Sequence, residues 1–127
     1  MNKHGMIVLT DAVLITAIVQ RGMADLVVQT AQEAGAQGAT IFHAHGTGVR
    51  QKRLGILGLT INSEKEVIYI VAPADQADLI FDRIFVCAKM DTPGMGILWV
   101  TPVNRMATHI PHEVAARFGI HLEPNKT

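Results

Sequence analysis

Apolar and polar positions change their rhythm several times along the chain. Residues 14–19 are mostly β-branched or apolar, and Gln20-Arg21-Gly22 breaks the run, as a buried strand ending in a turn does. Between residues 23 and 34, Met23, Leu26, Val27, Thr30, Ala31 and Ala34 recur at the three-and-four spacing of one helical face, and Gly35 and Gly38 stop the helix. Residues 39–45 alternate, with Ala39, Ile41 and His43 on one side and Thr40, Phe42 and Ala44 on the other, which predicts a second strand. The run Glu66-Val67-Ile68-Tyr69-Ile70-Val71 predicts a third. Pro73-Ala74-Asp75 starts a second helix with Asp75 as its cap, and Ala77, Ile80, Phe81, Ile84, Phe85 and Ala88 form its inward face. After a loop at 90–96 comes a fourth strand, 97–101, closed by Pro102.

The order strand, helix, strand, loop, strand, helix, strand is the double βαβ pattern of an α+β ferredoxin-like sandwich. Its expected form is a four-stranded antiparallel sheet with two helices on one face, a single domain over residues 1–127 with its core at about 14–104. The first thirteen residues form an extra segment able to supply a strand. Pro111 and Gly119 bracket a short C-terminal helix at 112–118. Between 49 and 63 the text is glycine-spaced and basic, predicting a mobile or partly extended loop. The strands are too uniformly apolar for the uncovered sheet face to meet water, so association between chains is expected.

Composition narrows the class. With 49% hydrophobic and 17% charged residues the chain is globular, because a disordered chain lacks the apolar surface that offsets ordering entropy. Eleven basic residues balance eleven acidic ones, so no global field draws it to nucleic acid or anionic lipid. The one basic run, Arg50-Gln51-Lys52-Arg53, lacks the interleaved aromatics of a nucleic-acid surface. The single cysteine, Cys87, lies in an apolar run and reads as a buried structural thiol suited to a reducing cytosol. The apolar stretch 6–19 is interrupted by Asp11 and falls short of the ~20 residues of a spanning helix, and no signal-peptide pattern follows Lys3-His4. A cytoplasmic protein is expected.

Candidate chemistry gathers around two glycine pairs. Gly46-Thr47-Gly48 follows the second predicted strand and Gly94-Met95-Gly96 precedes the fourth; without a Cβ, such residues let backbone N–H groups approach phosphate oxygens. His43 and His45 have the spacing that puts both imidazoles on one strand face, as a metal site uses, although no carboxylate or thiol is expected beside them. The acids Asp25, Glu33, Asp75, Asp78 and Asp82 fall mainly on predicted helix surfaces, so no general acid–base pair assembles and no enzyme is expected.

Layout and loop chemistry together resemble the P-II family of nitrogen and carbon regulatory proteins, over about residues 14–104. The resemblance rests on Gly38-Ala39-Thr40, Gly46-Thr47-Gly48, Val71-Ala72-Pro73-Ala74-Asp75 and Gly94-Met95-Gly96-Ile97-Leu98-Trp99-Val100. In that family the first glycine pair opens a long T-loop, the second forms a B-loop, and loops from neighbouring subunits of a trimer enclose an adenine nucleotide. By position, Ile18 and Thr40 border the adenine, Gly46, Thr47 and Gly48 begin the T-loop, and Gly94, Met95 and Gly96 form the B-loop. Lys65 matches a lysine at the base of the T-loop, with a solvated strand-end lysine as the alternative. Ile97 stands in place of the B-loop lysine, and Thr108 and Ile110 in place of basic phosphate contacts. The resemblance therefore implies ADP or AMP rather than ATP, unless Arg50, Lys52 or Arg53 folds back over the phosphates. The T-loop is shorter than in the nitrogen regulators and has no tyrosine, Tyr69 lying in the following strand, so uridylylation is not expected.

The resemblance implies a non-enzymatic homotrimer acting in signal transduction and nitrogen regulation. It would sense the nucleotide and control a partner, often a membrane transporter, through the T-loop with Arg50, Lys52 and Arg53. The protein would reach a membrane only through that partner. Two alternatives stay open: a metal-binding trimer similar to copper-tolerance relatives with His43 and His45 as ligands, and a carbon-sensing form binding bicarbonate with ADP or AMP.

Overall fold

The computed structural model describes residues 7–45 and 64–108. The expected loop at 49–63, the pair Gly46 and Gly48 with Thr47, the cations Arg50, Lys52 and Arg53, Ile110 and the helix at 112–118 lie outside these residues. Strand β1 (Ile7–Leu9) is followed by β2 (Ala12–Gln20), helix α1 (Ala24–Glu33), β3 (Thr40–His45) and β4 (Glu64–Pro73). Helix α2 (Ala77–Cys87), β5 (Gly96–Val103) and β6 (Met106–Thr108) complete the order. Four strands form one antiparallel sheet in the order β3-β4-β2-β5, and β1 pairs with β6 in a separate two-stranded ribbon. This is the expected ferredoxin-like α+β sandwich, with the extra N-terminal strand now placed against β6.

Odd-numbered positions of β2 face the helices. Ile15, Ala17 and Val19 join Ile68, Ile70 and Ala72 of β4 in a core closed by Val27, Ala31 and Ala34 from α1 and its end, and by Ile80, Ile84 and Ala88 from α2 and its end. Even-numbered positions face the other way. There the register sets Thr40, Tyr69, Thr16 and Trp99 in one row and Phe42, Val67, Ile18 and Ile97 in the next. Phe42, Tyr69 and Trp99 are 47%, 41% and 40% exposed, an apolar surface no element of the described chain covers.

Four details differ from the sequence expectations, the first being Leu26, expected on the apolar face of α1 and 43% exposed. The second helix does not start at Asp75: Ala74–Gln76 form a single 3-10 turn, α2 begins at Ala77, and Asp75 makes no side-chain cap. Phe85, expected inward, is exposed, because the face through Ala77, Ile80, Ile84 and Ala88 already fills the space over the sheet. Pro102 does not close the last strand but lies within β5 opposite Val13, tolerated because β5 is an edge strand whose missing N–H interrupts no inner ladder.

Candidate functional site

At one end of the sheet β2 and β3 stop while β4 and β5 begin. Register places Gln20 opposite Lys65, Lys65 opposite Ala44, His45 opposite Glu64, and Val19 opposite Gly96. Ile18 and Lys65 share the open sheet face, Ile18 half-buried between Val67 and Ile97. Lys65 is buried, and that burial pulls its ammonium below the ordinary lysine value.

The glycine turn abuts them. Gly94 and Gly96 have φ of 85° and 154°, outside the range that L side chains readily adopt. Gly96 also lies so close to the Ile18 carbonyl that an added Cβ would collide with it. The carboxamide Nε2 of Gln20 donates to the Gly94 carbonyl, fixing the turn to the end of β2. Thr40 is set apart: it opens β3 opposite Tyr69, four residues up the ladder from Ala44 and Lys65. The structure thus brings together Ile18, Lys65, Gly94, Met95 and Gly96, and leaves Thr40 at the far end of β3.

The turn joining β2 to α1 carries contacts the sequence did not reveal. Met23 N–H donates to the Gln20 carbonyl at 3.1 Å across Gly22, whose φ of 94° suits the third position of such a turn. Neither Met23 nor any other residue of the turn caps α1 with its side chain. The cap comes from β4: Glu66, only 8% exposed, accepts the Gly22 and Ala24 N–H groups on Oε1 at 2.6 and 3.1 Å. Anionic oxygen at a helix N-terminus meets both the unpaired donors and the positive end of the dipole. Arg21 pairs with Glu64 through its guanidinium, and its N–H donates to the Glu64 carbonyl at 3.3 Å.

Glu66 also corrects the picture of the histidines. Its Oε2 lies 3.8 Å from His43 Nδ1, and Glu64 stands opposite His45, so carboxylates do flank the pair. Both are committed to α1 and Arg21, and among the described residues no group of three or more His, Cys, Asp or Glu side chains is placed to hold a metal. Asp25, Glu33, Asp75, Asp78 and Asp82 are exposed, as their helix positions predicted. Cys87 is half-buried and its thiol donates to the Ile84 carbonyl at 3.5 Å.

Residues 12–113 match the profile of the nitrogen regulatory protein P-II family. The chain belongs to the P-II family. Two solved structures share the fold of this P-II protein. PII of Arabidopsis thaliana bound to citrate aligns at 21% identity and a TM-score of 0.58, over 75% of this chain and 79% of that one. A DUF3240 family protein of Shewanella baltica aligns at 19% identity and a TM-score of 0.55, over 75% and 92%. No curated protein matches the sequence. The family match begins at the first residue of β2, so β1 lies outside the matched residues. Among the described residues no helix is long and apolar enough to cross a membrane.

Proposed function

We propose that this P-II protein is a homotrimeric, non-enzymatic sensor that holds an adenine nucleotide between subunits and controls a partner protein through the segment between β3 and β4. The observation that carries the reading is the convergence of Ile18, Lys65 and the Gly94-Met95-Gly96 turn at one end of the open sheet face. An apolar surface suits a base, while an ammonium and a backbone unshielded by Cβ atoms suit phosphate oxygens. A bound phosphate would also offset the burial that disfavours the Lys65 charge. Ile97 lies beside Ile18 with no charge to offer, which favours ADP or AMP over ATP. The exposed Phe42, Tyr69 and Trp99 support burial of the open face between copies.

The position of the partner-facing segment, joining the strands that carry His45 and Glu64, supports its use as the docking loop, with Arg50, Lys52 and Arg53 as its charges. A cytoplasmic protein acting on a membrane transporter in nitrogen or carbon control, with bicarbonate as a possible second ligand of the ADP- or AMP-bound form, is the family-based extension of this reading.

Calorimetry with ATP, ADP, AMP, copper and zinc tests it. Binding of ADP or AMP, lost in Lys65→Ala while the oligomer persists, is the expected result. No nucleotide binding at millimolar concentration, with tight copper or zinc binding lost in His43→Ala, would establish the metal reading instead.

A further inference from the structure

Turn 20–24 is tied to two other parts of the chain at once. On one side, the Gln20 carboxamide is bonded to the Gly94 carbonyl. On the other, Arg21 is held to Glu64 by side chain and backbone, and Gly22 and Ala24 are held to Glu66. Glu64 and Glu66 are the first and third residues of β4, immediately after the segment proposed as the docking loop.

The turn has little slack between these anchors. Gln20 is fixed in the ladder opposite Lys65, the Met23-to-Gln20 hydrogen bond closes the turn, and Ala24 is the first residue of α1. A displacement of Gly94 therefore pulls on a side chain whose own backbone is one residue from the Arg21 contacts and two from the Gly22 contact. Contiguous hydrogen-bond and ion-pair networks between rigid elements are one route by which two sites bias one another.

We propose that turn 20–24 is a coupling element, passing a displacement of the Gly94-Met95-Gly96 turn to the first residues of β4 and the reverse. Its use, to convey ligand occupancy to the root of the docking loop, rests on the proposed function. The coupling itself is a property of the ligand-free chain, so it can fail while nucleotide binding stands, or stand while nucleotide binding fails.

Coupling predicts effects in both directions, and these supply the test. Amide hydrogen exchange is followed by NMR on the ligand-free full chain and its variants. In Gln20→Leu, the Gly22 and Ala24 amides are expected to exchange about fivefold faster or more, although the Gln20 side chain bonds to neither. In Glu66→Ala, the Met95 amide, bonded to the Thr92 carbonyl, is expected to quicken as well. The Ala88 amide at the end of α2 serves as the control and stays unchanged. Changes confined to each mutated contact overturn the proposal, as does a uniform rise that includes Ala88, which reports global loosening. If Glu66→Ala does not fold, Arg21→Ala replaces it under the same criterion, because that side chain is exposed.

Discussion

Lys89 holds a φ of 54°, a conformation that costs an L-residue roughly 1–2 kcal/mol. It does so because α2 ends as α1 does. At the end of α1, Ala36 N–H reaches the Ala31 carbonyl at 2.9 Å and Gly35 N–H the Gln32 carbonyl at 3.0 Å; at the end of α2, Met90 reaches Phe85 and Lys89 reaches Val86, both at 3.1 Å. The same closing motif thus uses glycine once and lysine once. Glycine loses more freedom on folding, about 0.5–1 kcal/mol, so Lys89→Gly is expected to stabilise by a net of roughly 0.5–1 kcal/mol. A higher urea midpoint at unchanged slope would show it. Lys65 makes a pH-dependent prediction. Below its lowered pKa both folded and unfolded chains carry the charge, and the folded state bears the full cost of burying it. Between that pKa and about 10.4 the unfolded chain binds more protons, so this group's contribution makes stability rise with pH. The stability of the ligand-free wild type relative to Lys65→Met should therefore rise as pH climbs through that window, as urea titrations across the range would record.

Helix α2 shows how far a pattern carries at the level of one element. Ile84 is fully buried and Phe85 is 40% exposed, so Ile84→Ala is expected to cost about 2–5 kcal/mol and Phe85→Glu under about 1 kcal/mol, both read from denaturant melts. The sequence placed both inward, since a six-residue apolar stripe is wider than the space over this sheet. The strands and helices themselves were legible because period 2 and period 3.6 alternate cleanly, and glycine marks the end of α1. β1 and β6 were not, being three residues each with no pattern to show whom they pair. At the candidate site, Ile18, Lys65 and the Gly94-Met95-Gly96 turn were proposed from residue chemistry and resemblance. Glu66 was not. Its contacts to Gly22 and Ala24 span 44 and 42 residues of sequence, a separation no local pattern encodes. The helix cap comes from a neighbouring strand rather than from the turn itself.

The whole molecule is a sheet with one face finished and the other left apolar. On the open face the Phe42 and Tyr69 rings meet edge-on at 5.1 Å between centroids, and Thr16, between Tyr69 and Trp99 in the ladder, is only 3% exposed. Among the described residues this surface still leaves three aromatic side chains partly in water. In a symmetric oligomer every copy carries the same substitution, so one charge on this face is repeated in each subunit and desolvated wherever the faces meet. Tyr69→Glu is expected to leave the circular dichroism spectrum unchanged, because Tyr69 contributes nothing to the helix-covered core, and to reduce the wild-type trimer to monomer by light scattering. Nucleotide binding should fall with it, since the proposed clefts lie between subunits, whereas Lys65→Ala should lose the nucleotide and keep the trimer. A Tyr69→Glu protein that remains trimeric would show that the copies meet elsewhere, and the apolar face would then need a different occupant.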